Sequence, residues 1–376
     1  METSTMPKNL LYLPLGKCQS SFNLEKAVCN HGFFMMAPNR WISSTKSLQR
    51  PLRLADQSTS VLVTISHSPK DAANLHIYIH DDEALSVENQ RAILGQVARM
   101  LRISEKDEKA VNEFQEIHAQ AKKEGFGRIF RSPTPFEDAI KSILLCNCTW
   151  SRTLDMAKSL CKLQLELSKG PQSNRKEQRK TKRKREQKNQ IGTKVCDKYS
   201  KDREIGNFPN SKELAKFNIS DLQKRCSVGF RARYIVKLAQ SVEKGTLALE
   251  KLEDECDLSS YESVYRKLTE LKGLGPFTIA TTLMCWGCYQ KVPADSETIR
   301  HLKQVHGMSS CNNRTINKDV DEIYKKYAPF QCVAYWFELL QDYEKNFGQL
   351  SELDESDYHR ITGSGFLQAK TNASKS

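Results

Sequence analysis

The stretch Leu271-Lys272-Gly273-Leu274-Gly275-Pro276-Phe277-Thr278, followed by a lone Asp295 twenty residues after Gly275, constrains this chain more than any other feature. Val264, Leu268 and Leu271 precede it at helical spacing, and Thr278, Ile279, Ala280, Thr282 and Leu283 follow it. The pattern predicts a glycine-pinched hairpin between two helices. Glycine reaches dihedrals closed to other residues and carries no Cβ, so such a hairpin can press bare backbone N–H groups onto a phosphate. An ordinary helix–helix turn with capping glycines is the plain alternative. Asp295 precedes Ser296-Glu297-Thr298-Ile299 and reads as the N-cap of the next helix. Helix N–H groups hold an N-cap carboxylate rigid and ionised. A fixed carboxylate beside a held phosphate can stabilise positive charge on the attached sugar and polarise an attacking water.

The rest of the chain sorts into five stretches. Residues 1–85 contain Val61-Leu62-Val63-Thr64-Ile65-Ser66 and Leu75-His76-Ile77-Tyr78-Ile79-His80, two β-rich runs separated by a turn bearing Pro69, Asp71 and Asn74. They predict a small antiparallel sheet. Gly32 to Trp41 is apolar and broken by Pro38, which suits an irregular packed segment or a strand edge. From Ser86 the period changes: Ile93, Leu94, Val97 and Leu101 form a helical stripe with Ser86 as N-cap, and helical patterns run to about Leu167. This gives a helical subdomain over 86–167. Residues 168–205 have almost no large apolar side chains and read as a basic, disordered insertion. Helices resume in a second helical subdomain over 206–350, and 351–376 reads as a polar, frayed tail. The fold class is α+β, mostly α, with a small N-terminal antiparallel sheet and two helical subdomains.

Charge and cysteine content bound the setting. The net charge is +13, and residues 171–190 carry nine basic residues against Glu177 and Glu186, so seven of those charges sit in twenty residues. A basic balance favours a polyanion such as nucleic acid. Residues 179–185, including Lys182-Arg183-Lys184-Arg185, fit a nuclear-import signal, with a solvated charged loop as the plain alternative. No run of about 18 apolar residues exists to cross a membrane. The first residues lack the pattern of a secretory leader, while their poverty in acids leaves an organelle leader open. The twelve cysteines are expected to be reduced thiols in an intracellular protein. Cys285-x-x-Cys288 and Cys146-x-Cys148 lie in apolar segments with no second pair at zinc spacing. Neither a metal nor another cofactor is expected, and the protein is expected to act as a monomer in the nucleus.

The hairpin and Asp295 resemble the helix-hairpin-helix/Gly-Pro-Asp superfamily of DNA glycosylases. The resemblance runs from about Phe136 to Phe347 apart from the basic insertion, and extends more weakly to the N-terminal sheet. It implies binding of double-stranded DNA, flipping of a damaged nucleotide into a pocket and cleavage of its N-glycosidic bond, with Gly273 and Gly275 on a phosphate and Asp295 catalytic. Further stretches resemble the 8-oxoguanine glycosylase branch. Leu145-Cys146-Asn147-Cys148-Thr149-Trp150-Ser151-Arg152 implies that Asn147 fills the gap left by the flipped base and that Arg152 reads its orphaned partner. Val228-Gly229-Phe230-Arg231-Ala232-Arg233-Tyr234 implies a wedging Phe230 and a partner-base contact from Arg231, with Arg233 also at the DNA. The plain alternative is phosphate contacts for Arg231 and Arg233 and a core position for Phe230. Tyr327-Ala328-Pro329-Phe330 opens a late helix that lines the pocket.

The departures narrow the chemistry. Bifunctional members carry a nucleophilic lysine where Phe277 stands, and Lys272 lies on the wrong side of the glycines to replace it. The resemblance therefore implies a monofunctional glycosylase. An aromatic at this position resembles the 3-methyladenine glycosylase II branch. Tyr335 and Leu339 replace an amide reader and a stacking phenylalanine, and Gly32 matches a carbonyl reader loosely. The pocket is expected to be aromatic, with Phe277, Tyr335, Trp336 and Trp41 as its candidates. The alternative function is a non-catalytic lesion- or structure-binding protein on a glycosylase scaffold. A general basic nucleic-acid protein would explain the 171–190 run but not the hairpin.

Overall fold

Val61, Val63 and Ile65 are buried at every second position of one run, as are Leu75, Ile77 and Ile79 of another, and these two runs form the interior of a five-stranded antiparallel sheet. The computed structural model describes residues 9–185, 206–257, 259–363 and 365. The strands are β1 (Leu10–Pro14), β2 (Arg40–Ile42), β3 (Ser47–Arg53), β4 (Ser60–His67) and β5 (Asn74–Ile79), in the order β1-β5-β4-β3-β2. Val63 pairs with Ile79 and Ile65 with Ile77, so both apolar sets fall on one face. That face packs on the helical stripe of α2, whose N-cap Ser86 accepts from the Asn89 N–H.

The helices, in chain order, are α1 (Leu24–Val28), α2 (Val87–Leu101), α3 (Glu105–Ile117), α4 (Ala119–Glu124), α5 (Pro135–Leu145), α6 (Trp150–Arg185), α7 (Ser211–Leu214) and α8 (Ile219–Cys226). They continue with α9 (Arg231–Glu243), α10 (Leu249–Asp254), α11 (Tyr261–Thr269), α12 (Pro276–Cys285), α13 (Ser296–Val305), α14 (Ile316–Tyr324) and α15 (Gln331–Phe347). The centre is α5, buried along nearly its whole length and packed on the equally buried α12.

Buried charges lock these layers together. Arg50 of β3 pairs with Glu137 of α5 at 3.0 Å, and Lys141 reaches the same carboxylate at 2.8 Å. Arg99 of α2 bridges Asp138 of α5 at 2.8 Å and Glu253 of α10 at 2.7 Å. Arg102 donates to the carbonyls of Met284 and Cys285, where the carbonyl end of α12 gathers negative charge. Removing one partner of such a buried pair costs roughly 3–5 kcal/mol.

Three expectations need correction. α6 continues beyond Leu167 to Arg185. Lys, Arg, Gln and Glu are good helix formers and can extend an anchored helix without an apolar stripe. Residues 186–205, the remainder of the proposed basic insertion, lie outside the described residues. The expected tail from 351 is folded as far as Gly363: Tyr358 and Ile361 are buried, Trp41 Nε1 donates to Ser351 O at 2.9 Å, and Trp150 Nε1 donates to Tyr358 O at 2.8 Å. Two apolar anchors among many charges were too sparse a signal. Finally, Cys288 forms a disulfide with Cys256 rather than remaining a thiol. The partners are 32 residues apart and meet only because the segments after α10 and α12 converge.

Candidate active site and nucleic-acid face

The hairpin lies between α11 and α12. Gly273 has φ +105°, and a Cβ there would fall 2.0 Å from Tyr234 Cδ1, so both backbone and space demand glycine. Gly275 is the N-cap of α12 with φ −85°, and a Cβ there would meet no atom within 4 Å. Gly275 therefore leaves the approach to the helix open rather than satisfying a steric demand. Among the described residues, the N–H groups of Gly273 and Gly275 have no hydrogen-bond partner. They remain available to an outside acceptor at the positive end of α12.

Asp295 caps α13. Its Oδ1 accepts from the N–H groups of Glu297 and Thr298 at 3.0 and 3.1 Å, and the Asp295 N–H donates to Thr298 Oγ1 at 3.2 Å. Thr298 Oγ1 lies 2.9 Å from the Tyr335 hydroxyl, which ties the cap to α15. The Asp295 side chain keeps open surface because it forms part of a cavity wall, while protein encloses its other sides. That desolvation is the largest influence on the carboxyl and raises it from its ordinary value, with the Glu297 charge adding to the rise. The bonds from Thr298 and Glu297 pull the other way. The cap bonds and the desolvation therefore act on its ionisation in opposite directions.

The cavity has a volume of about 250 Å³, and Asp295, Phe277, Tyr335 and Trp336 all line it. Gly32 and Leu339 line it too. Trp41 does not: it is buried in β2 and bonded to the folded tail. Its place is taken by Trp150, whose ring tip lies 3.1 Å from where a Cβ of Gly32 would stand. His31 is a second wall residue that sequence reasoning missed, and its only signal was adjacency to Gly32. The His31 ring meets Trp336 edge to face at 4.7 Å, and its Nδ1 lies 3.2 Å from the Phe130 carbonyl. A carbonyl only accepts, so this contact places the proton on Nδ1 and leaves Nε2 an acceptor. Burial lowers His31 to about 3, so the ring is neutral. No lysine lines the cavity among the described residues, and Lys272 is exposed outside it.

The remaining candidates form a face continuous with the hairpin. Asn147 sits in the left-handed region (φ +46°) in the loop between α5 and α6 and is exposed. Arg231 is buried beneath that loop, and its Nη2 donates to the carbonyls of Cys146 and Asn147. Its guanidinium also lies 4.5 Å from the centre of the Phe230 ring. Arg231 thus supports the loop carrying Asn147 rather than standing free. Phe230 is 54 % exposed and packs edge to face on Tyr234, the ring that rests on Gly273. Arg152 is exposed beside Gly229, and Arg233 is exposed on α9. Cys146 Sγ lies 2.8 Å from Thr278 Oγ1, which joins the Asn147 loop to α12. Tyr234 had no role assigned from the sequence, yet it connects the Phe230 helix to the glycine hairpin.

No family model matches the chain. A curated relative, DNA-3-methyladenine glycosylase 1 of Schizosaccharomyces pombe, is 27% identical over 146 residues, which span 37% of this chain and 61% of that protein. Two solved structures cover most of the chain. An 8-oxoguanine glycosylase/lyase of Clostridium acetobutylicum, in complex with double-stranded DNA containing cytosine opposite 8-oxoguanine, superposes with a TM-score of 0.53 at 15% identity, over 86% of this chain and 92% of that one. A 3-methyladenine DNA glycosylase from Archaeoglobus fulgidus gives a TM-score of 0.53 at 16% identity, over 89% and 98%. The chain shares its fold with these 8-oxoguanine and 3-methyladenine DNA glycosylases.

Proposed function

We propose that this chain, built on the glycosylase fold, is a monofunctional DNA N-glycosylase of base excision repair. One observation carries the reading: Asp295 shares an aromatic-walled cavity with Phe277, and that wall holds no lysine among the described residues. The unpartnered N–H groups at the hairpin bind a backbone phosphate. Phe230 and the Asn147 loop occupy the space beside a nucleotide extruded from the duplex. The extruded base stacks against Phe277, Trp336 and Trp150. As the N-glycosidic bond breaks, its electron pair leaves with the base and positive charge builds on the sugar. The Asp295 carboxylate stabilises that charge and orients the water whose oxygen bonds to the sugar carbon. The water's proton leaves to solvent or to the departing base. Without an amine nucleophile no covalent enzyme–DNA intermediate forms, and the product is an intact strand with an abasic site.

The test is incubation of duplexes carrying single alkylated, deaminated or oxidised bases, with products resolved before and after alkali. Base release with strand breakage only after alkali is expected. Asp295→Asn should reduce release by roughly 10²–10³-fold while leaving duplex binding in place. An absence of release across the whole panel, with tight binding to abasic or distorted DNA, would instead favour a lesion-binding protein. A borohydride-trapped adduct in the wild type would overturn the monofunctional reading.

A further inference from the structure

Behind the wall that carries Asp295 and Tyr335, away from the cavity, three metal-type ligands converge. His301 and His306 come from α13 and its C-terminal end, and Glu338 from α15, with one ligand atom of each lying within 4.8 Å of the others. Glu338 Oε2 is 2.9 Å from His306 Nε2 and 3.6 Å from His301 Nε2. Bonds of about 2.1 Å to a tetrahedral ion place donor atoms roughly 3.4 Å apart, and the two measured spacings bracket that value.

Hydrogen bonding alone leaves this cluster incomplete. Glu338 Oε2 already takes the Tyr324 hydroxyl at 2.6 Å and His306. His301 is wholly buried, and neither of its ring nitrogens has a hydrogen-bond partner. At 3.6 Å its Nε2 is too far from Glu338 for a hydrogen bond. An ion between them would occupy that nitrogen. On the other edge of the ring, Nδ1 lies 3.9 Å from Asp342 Oδ2, on the side where an outer carboxylate orients a ligating imidazole. Asp342 is itself held by Arg300 at 2.7 Å.

We propose that His301, His306 and Glu338 form a site for a divalent transition metal of the zinc class. Two imidazoles and one carboxylate are a zinc-type donor set, and three protein ligands leave a fourth position for water or for the adjacent Tyr324 hydroxyl. The ion ties α13, which Asp295 caps, to α15, which carries Tyr335 and Trp336. Its role is to hold two walls of the cavity at a set separation.

The experiment uses the full-length chain, stripped with chelator and titrated with Zn²⁺ by calorimetry. Co²⁺ serves as an optical probe, because nine cysteines among the described residues are free thiols and must be excluded as ligands. One equivalent of Zn²⁺ per chain, a rise in melting temperature on loading, and Co²⁺ visible bands without a thiolate charge-transfer band are expected. His306→Ala and Glu338→Gln alter partly exposed side chains, and their metal-free melting curves show whether each variant is folded. Each folded variant should lose affinity by more than the roughly 10–100-fold that removal of an outer-shell partner costs. No stoichiometric binding, a thiolate band, or unchanged affinity in both variants would overturn the proposal. None of these readouts depends on glycosylase activity.

Discussion

A Cβ placed on Gly273 would lie 2.0 Å from Cδ1 of Tyr234. The glycine hairpin and the helix that presents Phe230 are therefore in direct contact, and neither can shift without the other. Gly273 also has φ +105°. Gly273→Ala combines backbone strain with overpacking and should cost roughly 2–4 kcal/mol of stability. It should also weaken duplex binding, because Tyr234 must move. Gly275→Ala has room for its methyl and a permitted φ, so its melting temperature should stay close to wild type. Parallel thermal melts and fluorescence-anisotropy titrations of the two variants check the contrast. Equal destabilisation would show that the Tyr234 contact is not what selects glycine at 273.

Asp295 links activity to pH with a definite sign. Its carboxyl is raised by desolvation from the protein around its open side, and the proposed chemistry needs the carboxylate. Base release should therefore fall in acid, as pH drops through a value raised from that of an ordinary aspartate. Stability should run the other way. A raised folded-state value means the fold prefers the neutral acid, so this group's stabilising contribution is present at acid pH and is lost as pH rises through the raised value. Asn caps a helix as well as Asp does. Asp295→Asn should then melt at or above the wild-type temperature at neutral pH, with the gap closing in acid. Scanning calorimetry from pH 4 to 8 measures this, and a variant less stable at neutral pH would contradict it.

His31 should not contribute to that pH profile. Burial lowers it to about 3 and the Phe130 carbonyl fixes its proton on Nδ1. Its NMR ring resonances should stay constant from pH 8 to 5. His31→Phe keeps an aromatic wall but removes the Nε2 acceptor, so it should reduce release of bases that offer an N–H to that edge and leave the acid limb of the profile unmoved. A shifted limb would mean that His31 is ionised in the working range.

Arg231 and Arg152 should separate cleanly. Arg231 is buried, with its guanidinium on the carbonyls of Cys146 and Asn147. Arg231→Ala removes charge-assisted bonds from the loop, and should cost about 2–3 kcal/mol while loosening the position of Asn147. Arg152 is exposed. Arg152→Ala should leave stability within about 0.5 kcal/mol but weaken DNA binding. Chemical denaturation and binding at two salt concentrations distinguish them.

The parts legible in the sequence were those where one element carries its own pattern. Val61 to Ser66 is a β-rich run and Leu75-His76-Ile77 alternates, so β4 and β5 could be read. β3 could not, because Arg50, Pro51 and Arg53 interrupt its alternation, and the buried Arg50 finds its counter-charge in Glu137, on a helix 87 residues away. The same holds at the site. Asp295, Phe277, Tyr335 and Trp336 lie in motifs with local signatures, and they line one cavity. Trp150 and His31 complete that cavity from other elements, while Trp41 is drawn instead to Ser351 of the folded tail. The Cys256–Cys288 pair and the His301–His306–Glu338 cluster exist only after tertiary convergence, and no spacing rule on one segment reports them.

Phe277 is where the proposed division between hydrolysis and lyase chemistry can be tested by gain of function. It lies in the first turn of α12 and on the cavity wall that Asp295 shares. A lysine there would place its amine near the positive end of the helix and among apolar rings. Both influences favour the neutral, nucleophilic amine. Wild type should give no borohydride-trapped complex with a lesion duplex. Phe277→Lys should give a trapped protein–DNA adduct and strand cleavage without alkali, even if total release falls because the aromatic stacking surface is gone. Phe277→Leu, apolar but without an amine, should reduce release and trap nothing. A trapped adduct in the Leu variant would place the nucleophile elsewhere, with Lys272 the first residue to replace.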